Sequence, residues 1–166
     1  MAVDRSVIDK PTGAWKVTVE RGPVAQFAAA LKDANALYRD RRAARDAGFD
    51  DIPAPPTFTF AMPFWGVFAE DQPEDPTGGQ NPMHQLMGEL FGQGALVLHG
   101  EQEFEYHRPV MVGDVLEGEG RIMDIYEKAT DSANMTFVVI RTEWKDAGSG
   151  EPVVTEQFNL IARLKK

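Results

Sequence analysis

The sequence predicts a single α+β domain in which a curved antiparallel sheet wraps around a central helix. The first half of the 166-residue chain, to about Gly94, is rich in alanine, proline and glycine, and its patterns are typical of helices and loops. Residues 95–164 instead alternate between apolar and polar side chains, as strands do. One strand, then helices, then consecutive strands is the order expected of an α+β fold. No internal repeat or low-complexity linker divides the chain, so one domain is expected.

The first predicted elements are one strand and two helices. Alternation predicts a strand over Trp15–Val19, and a helix begins near Pro23 because proline suits the first helical turn. A second, short helix is predicted over Tyr38–Ala47 and ends at Gly48. The prolines between residues 52 and 57 exclude a helix interior there, since each one removes a backbone donor.

The predicted central helix comes in two pieces. The first is the apolar segment Phe58–Phe68, which we interpret as the start of a buried helix. The acidic stretch Glu70–Gln80, rich in proline and glycine, interrupts it as an insertion. The second piece, Met83–Phe91, carries apolar residues with a period of about 3.6 residues and is predicted to face the core.

Four long strands with short turns predict an antiparallel meander in the second half of the chain. One face of such a sheet rests on the helix and the other needs cover, which favours a dimer. In the first of these strands, three glutamates are expected to share one face because they alternate with uncharged residues. The strands are Leu96–Arg108, Val115–Tyr126, Met135–Trp144 and Val153–Leu164, and the glutamates are Glu101, Glu103 and Glu105.

The composition limits the classes of partner. The net charge is −9, so we expect no binding to nucleic acid. No run approaches the roughly 20 apolar residues that a membrane helix needs, so no membrane partner is expected. The chain has no cysteine, which suits a cytoplasmic protein and excludes disulfides and thiolate catalysis. A basic cluster that includes Arg41 and Arg42 is either a solvated helix face or a site for the phosphates of coenzyme A or phosphopantetheine.

Three segments resemble the MaoC-like dehydratase family, in particular its N-terminal-type branch, which is similar to fatty-synthase dehydratases. They are, in family order, residues 33–49, Ala54–Phe58 and Leu98–Val110, the last closed by Gly113 and Asp114. The resemblance implies a hotdog fold and the reversible hydration of 2-enoyl thioesters to (R)-3-hydroxyacyl thioesters. The thioester of coenzyme A or of a carrier-protein phosphopantetheine is then the substrate, with no metal and no resident cofactor.

The family's reaction needs a base for water, an acid for the α-carbon and a donor for the enolate oxygen. The resemblance places Asp33 at the catalytic aspartate and Asn35 at the motif's asparagine. Tyr38 stands where the family has histidine, and a phenol with an ordinary pKa of about 10 is a poor base. Pro56 stands at the oxyanion-hole glycine and has no N–H, which leaves the N–H of Thr57 as a partial substitute. Losing one such donor typically costs about 100- to 1,000-fold in rate, so substrate contact is expected of these residues rather than full catalysis.

The three histidines do not replace the missing base. His84 lies in a stretch that copies part of the family motif, but Gly79 stands at its aspartate position and the stretch is out of order. A helix-capping Asn-Pro turn explains that stretch better. His99 and His107 lie at an even spacing on one predicted strand and nominally face the same side unless a bulge intervenes. We predict that His99 contacts substrate and that His107 has a structural or binding role.

The leading hypothesis is that the chain is the substrate-binding subunit of a heteromeric hydratase/dehydratase whose partner carries the complete Asp–His motif. One alternative is a self-sufficient homodimeric enoyl-CoA hydratase that uses Asp33 with Tyr38 or His84 as the acid. Another is a noncatalytic module that binds acyl-CoA. A thioesterase fits less well, because the three segments resemble the MaoC branch of hotdog proteins.

Overall fold

The structure is a computed structural model, and it describes residues 3–65 and 67–166. Its sheet has five antiparallel strands, in the order β1-β3-β4-β5-β2 once the strands are numbered along the chain. This α+β architecture confirms the fold class predicted from the sequence. The strands are β1 (Pro11–Thr18), β2 (Leu96–Tyr106), β3 (Val115–Ala129), β4 (Ala133–Asp146) and β5 (Pro152–Lys165).

The helix that covers the sheet spans Pro82–Gly92. It is capped by Asn81, whose side chain accepts a hydrogen bond from the N–H of Met83, and it buries Leu86 and Leu90 against β3, β4 and β5. No helix in the described parts of the chain is long and apolar enough to cross a membrane. The helices are α1 (Arg21–Ala30), α2 (Arg41–Asp46), α3 (Phe58–Ala61) and α4 (Pro82–Gly92), with 3₁₀ turns at Arg5–Val7, Ala36–Tyr38, Met62–Phe64 and Ala69–Asp71.

The meander prediction is wrong for β2. Strands β3, β4 and β5 follow one another across the sheet, but β2 pairs with β5 at the far edge instead of with β3. The connection after β2 crosses the end of the sheet and is fastened beside β1, where the N–H of Gly113 donates to the carbonyl of Val19. Alternation predicts that a segment is a strand, but it carries no information about which strand lies beside it.

Two predicted helices are shorter than expected. Phe58–Phe68 is not a buried helix, because α3 ends after four residues and a 3₁₀ turn that contains Pro63 follows it. Phe64, at the end of that turn, is 79% exposed. Gly66, within that segment, lies outside the described residues. The helix predicted over Tyr38–Ala47 is divided at Asp40, whose carboxylate caps α2 by accepting from two backbone N–H groups.

A bulge in β2 decides which side chains face the core. It falls at Gly100, where a Cβ atom would lie 2.7 Å from the backbone oxygen of Asn159. Because the bulge reverses the alternation, His99 lies on the inner face, whereas His107 reaches the hydroxyl of Thr155 on the outer face. The same-side expectation for the two histidines is therefore wrong. The prediction that the three glutamates of β2 share one face is confirmed by their register against β5, and that face is the outer one.

Candidate functional site

All three segments that carry the family resemblance meet in one pocket of about 390 Å³, which we call the Tyr38 pocket. Tyr38 reaches it from a 3₁₀ turn, Pro56 from the proline-rich loop, and Tyr106 from the end of β2. Most of the wall is aliphatic or aromatic, and Arg108 contributes a positive charge. Segments far apart in the sequence therefore form one concave surface.

Asp33 and Tyr38 lie close enough to interact electrostatically. The half-buried Asp33 accepts a hydrogen bond at Oδ1 from the N–H of Asn35 at 2.9 Å. Burial raises the pKa of Tyr38 above its usual value, and the negative charge of Asp33 raises it further. The phenol therefore stays protonated at neutral pH, where it acts as a hydrogen-bond donor and not as a base.

Asn35 has a local structural contact in this structure. Its side chain accepts a hydrogen bond at 3.2 Å from the N–H of Leu37 and so caps the 3₁₀ turn that presents Tyr38. It is exposed and is not among the residues that line the Tyr38 pocket. Substrate contact by Asn35 stays a prediction, while its contribution to the position of Tyr38 is visible.

Thr57 has an unusual backbone conformation at the start of α3. Its φ of 70° lies in the left-handed region, which is costly for a β-branched residue. This conformation directs its N–H to the hydroxyl oxygen of Tyr106, at a distance of 2.9 Å. The donor that the sequence suggested for the oxyanion is thus occupied by a side chain of the same protein. A thioester carbonyl would have to displace the Tyr106 hydroxyl before it could accept this hydrogen bond.

The arginine of the Tyr38 pocket is held by two carboxylates. Arg108 pairs with Asp114 at 2.6 Å and with Asp146 at 3.1 Å, and the hydrogen bond to Asp114 is the main reason that its pKa is raised. The same Asp114 carboxylate accepts from the N–H of Met111, which fixes the loop after β2. These contacts give Arg108 a structural function at the pocket wall.

The predicted phosphate-binding arginines lie on the exposed side of α2. Arg41 pairs with Asp51 at 3.0 Å, and Arg42 lies 3.9 Å from Asp46 one helical turn away. Neither lines the Tyr38 pocket. Surface ion pairs of this kind are weak, so both guanidinium groups remain open to an incoming anion. Phosphate binding stays a prediction.

A second space, which we call the Glu156 cavity, lies between the sheet and the helices. Its volume is about 240 Å³, and Phe60, Met83 and Phe158 form part of its mainly apolar wall. Glu156 enters this wall from β5 with only 5% of its surface exposed. Its Oε1 accepts a hydrogen bond from the indole N–H of Trp144 at 3.1 Å.

Glu156 has a strongly perturbed carboxyl group. Burial raises its pKa from 4.5 to about 7, although the hydroxyl of Thr59 and the indole N–H of Trp144 act in the opposite direction. The buried Thr59 hydroxyl lies near enough to affect that pKa, but it lacks the geometry of a normal hydrogen bond. The carboxyl is therefore close to half-protonated at neutral pH, within an apolar surrounding.

The sequence analysis did not single out Glu156, although a signal was present. In β5 the buried residues Val154, Leu160 and Ala162 share one parity, and Glu156 has the same parity. A carboxylate on the core-facing side of a strand is unusual enough to mark a position for inspection. No family motif led to this residue, because the last of the three motif segments is closed by Asp114.

His99 and His84 are both separate from the Tyr38 pocket. His99 contacts the rings of Phe60 and Phe158 at centroid distances of 5.6 and 4.5 Å, which places it beside the Glu156 cavity. His84 is exposed on α4, where the preceding Asn81 caps the helix as the sequence indicated. A substrate contact by His99 stays a prediction, and the ring contacts of His99 in this structure are with phenylalanine side chains.

A third pocket lies away from both of these positions. It measures about 430 Å³ and lies along the outer face of the sheet, between charged side chains such as Arg121 and Arg141. None of the residues predicted from the sequence to bind or react lines it. Size alone does not identify the functional site here, and the convergence of three motifs at the Tyr38 pocket is the stronger indication.

The fold and the position of this pocket define a hotdog domain of the hydratase/dehydratase class, and comparison with known proteins gives the family. The profile of the FAS1-like, dehydratase domain region matches residues 6–156, nearly the whole chain. The chain therefore belongs to that family, and it is a MaoC-like hotdog dehydratase domain. The sequence-based assignment is confirmed.

Two relatives illustrate the family's range. A UPF0336 protein of Saccharopolyspora erythraea is 35% identical over 167 residues, covering 98% of this chain and 93% of the relative. A probable enoyl-CoA hydratase alpha subunit of Thermomonospora curvata is 30% identical over 133 residues, covering 80% of this chain and 41% of the relative. A hydratase-type activity is thus associated with the family in general.

Two solved structures share the fold. The ChsH1-ChsH2 complex from Mycobacterium tuberculosis matches with a TM-score of 0.69 and 24% identity, covering 91% of this chain and 83% of that one. The C-terminally truncated HadBC (3R-hydroxyacyl-ACP dehydratase) complex from the same organism matches with a TM-score of 0.62 and 22% identity, covering 92% and 96%. Both similar structures are complexes of two different subunits.

Proposed function

We propose that this chain is the substrate-binding subunit of a heteromeric hydratase/dehydratase acting on acyl thioesters. The observation that carries the proposal is the state of the family's catalytic position. Tyr38, a protonated phenol, stands in place of the histidine, and the N–H of Thr57 is already bound by Tyr106. A partner subunit with the complete Asp–His motif would supply the acid–base chemistry.

The proposal assigns the acyl chain to the Glu156 cavity. Its wall is mainly apolar, and a carboxyl group with a pKa of about 7 need not carry a charge when an acyl chain enters. Tyr106 lines the Tyr38 pocket, and burial raises its pKa, with a smaller contribution from the charge of Glu156 in the wall of the Glu156 cavity. Displacement of Tyr106 from Thr57 would then give a thioester carbonyl a backbone donor.

The test is hydration of a trans-2-enoyl-CoA by the purified chain, alone and co-expressed with a hotdog subunit that carries the complete motif. We expect negligible loss of enoyl absorbance with the lone chain and turnover with the pair. Asp33→Asn should leave the turnover of the pair largely intact, as should the matched exposed change Asp131→Asn. Robust turnover by the lone chain that Asp33→Asn abolishes would instead identify a self-sufficient hydratase.

Two further outcomes separate the remaining alternatives. If His84→Ala removes turnover by the lone chain, His84 is the unconventional acid of a self-sufficient enzyme. Tight binding of acyl-CoA with no turnover in the presence of the complete-motif subunit would identify a noncatalytic binding module. For each of these alternatives we propose a cytoplasmic protein, because a chain without cysteine suits a reducing cytosol.

Within this proposal, Arg41 and Arg42 receive the phosphates of coenzyme A or of phosphopantetheine. Both are exposed and only weakly paired. Replacing both by glutamine should weaken coenzyme A binding by about tenfold, since each charge-assisted contact contributes roughly 1 kcal/mol or less at a surface. The outer-face arginines Arg121 and Arg141 give the control, because replacing both by glutamine likewise removes two positive charges. Equal affinity for all these variants would contradict the assignment.

A further inference from the structure

The Glu156 cavity has a polar side as well as an apolar one. Across the sheet, Gly120 on β3, Thr142 on β4 and Glu156 on β5 lie opposite one another in register. Thr142 and Glu156 both form part of the cavity wall, and so does the buried Thr12. A Cβ atom at Gly120 would clash with the hydroxyl oxygen of Thr12, so glycine leaves room for that hydroxyl. Several hydrogen-bonding groups therefore reach a cavity whose wall is mainly apolar.

The hydroxyl of Thr59 is buried without a hydrogen bond. Thr59 is 1% exposed in α3, and its Oγ1 has no hydrogen-bond partner among the residues that the structure describes. It lies beside Glu156, close enough to affect the pKa of that carboxyl. Glu156 accepts the indole N–H of Trp144 at Oε1, whereas a carboxylate has about four acceptor sites in total. Buried polar atoms without partners are uncommon in folded proteins, so Thr59 and Glu156 together suit a polar group that comes from a ligand.

These two side chains lie beyond the residues that we assign to the thioester carbonyl. Tyr106 lies opposite Val154 in the register of the sheet, and Glu156 follows Val154 by two residues, or about 7 Å along β5. Thr59 likewise follows Thr57 by two residues in the sequence. A chain whose carbonyl is bound at the N–H of Thr57 would therefore bring carbons further along the chain, and not its thioester, to Glu156 and Thr59.

We infer that Glu156 and Thr59 form a subsite for a hydroxyl group that the acyl chain carries several carbons from the thioester. The ligand hydroxyl donates to the second carboxyl oxygen of Glu156 and accepts from the hydroxyl of Thr59, so one ligand group satisfies both side chains. A plain alkyl chain at the same place leaves both side chains without that partner, which lowers its affinity. The identity of the ligand as an acyl thioester rests on the proposed function, whereas the preference for a hydroxyl rests on the two side chains.

The experiment compares acyl-CoA probes that differ by a single hydroxyl. Calorimetry measures the Kd of octanoyl-CoA and of its isomers with a hydroxyl on the fifth, sixth, seventh or eighth carbon. The protein is the purified chain, alone and paired with the complete-motif subunit. We expect the hydroxyl to tighten binding by about tenfold at one position or at two adjacent positions, because the two side chains that receive it are fixed in place.

Thr59→Val is the diagnostic variant and should remove most of that preference. Valine keeps the shape of threonine, and loss of a buried hydroxyl that has no partner in the described chain should not lower stability. Thr59→Ala, which also lacks the hydroxyl, serves where the valine variant does not fold.

Thr136→Val is the matched control. Thr136 is also buried, and its hydroxyl also lacks a partner among the described residues. It lies six residues from Thr142 on β4, and so about 20 Å along the strand from the level of Glu156. This variant should leave the ratio of the Kd values for plain and hydroxylated chains unchanged.

Three results would overturn the inference. The first is an equal Kd for octanoyl-CoA and all its hydroxylated isomers, which would leave the proposed function standing. The second is a gain of the same size at every hydroxyl position, and the third is a preference that survives in Thr59→Val as fully as in Thr136→Val. Failure of every probe to bind, alone and with the complete-motif subunit, would contradict the proposed function as well.

Discussion

The Tyr38 pocket and the Glu156 cavity differ in how their polar groups are satisfied. Around the Tyr38 pocket, where all the family-like motifs meet, the neighbouring donors and acceptors are engaged with one another: Asp33 with Asn35, and Thr57 with Tyr106. In the Glu156 cavity, a buried carboxyl has one good hydrogen bond and a pKa raised to about 7. At the motif position that the sequence analysis assigns to histidine stands Tyr38, whose pKa is raised mainly by burial, while the strongly perturbed acid Glu156 is on a strand that no motif marks.

This difference between the two sites is relevant to the roles that we propose for the two subunits. A site that holds a thioester needs shape and hydrogen-bond donors, and the Tyr38 pocket retains both in Tyr38 and in the N–H of Thr57. A site that performs hydration also needs a base whose pKa lies near the working pH. Glu156 has such a pKa, but it lies in the wall of the Glu156 cavity. A raised pKa there reduces the charge that the carboxyl places in this mainly apolar wall.

The largest predicted effect tests whether Glu156 is protonated in the folded protein. Its pKa is raised on folding, so the unfolded chain loses the proton near pH 4.5 and the folded chain near pH 7. Stability is therefore retained below about pH 4.5 and falls as the pH rises to about 7, by about 3 kcal/mol in total. Urea unfolding at several pH values measures this loss.

Glu156→Gln is the diagnostic variant for that loss. Glutamine keeps an acceptor for the indole N–H of Trp144 but cannot ionise, so the stability decline between pH 4.5 and 7 should become shallower by about 3 kcal/mol. Glu143→Gln, on the exposed side of β4, is the control and should leave the pH profile unchanged. An unaltered decline in Glu156→Gln would mean that the carboxyl is ionised in the folded protein at all these pH values.

The sequence was sufficient for the strands, for the helix over Met83–Phe91 and for the family, and insufficient for the helices before it and for how the elements are arranged. Five strands and the helix over Met83–Phe91 followed from periodicity, because burial on one side imposes it directly. The place of β2 at the sheet edge did not follow, because pairing depends on the path of the connection through Gly113. The bulge at Gly100 likewise reversed a side-chain face that simple alternation had assigned to His99.

The candidate site shows the same limit. Ordered motifs predicted that Tyr38, Pro56 and the end of β2 belong together, and the Tyr38 pocket joins them. The hydrogen bond from Thr57 to Tyr106 was not predictable, since it depends on a left-handed backbone at a residue type that rarely adopts it. Unusual backbone geometry of this kind comes from tertiary packing and leaves no local signature in the sequence.

A smaller effect is expected from Tyr106→Phe, which removes the acceptor for the N–H of Thr57. Loss of a half-buried hydrogen bond should cost about 1 kcal/mol in the free energy of unfolding. The same change frees the N–H, so acyl-CoA affinity should rise, by up to about tenfold, as measured by calorimetry. Tyr126→Phe, on a ring stacked against Phe137, is the control for removal of a phenol oxygen. If Tyr106→Phe weakened binding instead, the hydroxyl itself would be a substrate contact.

The smallest effect, and one of opposite sign, is expected from Thr57→Gly. The left-handed backbone costs a β-branched residue roughly 1–2 kcal/mol, and glycine avoids that cost while losing about 0.5–1 kcal/mol of backbone entropy on folding. The side chain of Thr57 is exposed and makes no capping hydrogen bond, so little packing is lost. We therefore expect a net stabilisation of about 0.5 kcal/mol in urea unfolding. Thr57→Ala keeps a Cβ atom and should give less than half of this gain, so equal stabilisation by both variants would show that strain in the backbone is not its source.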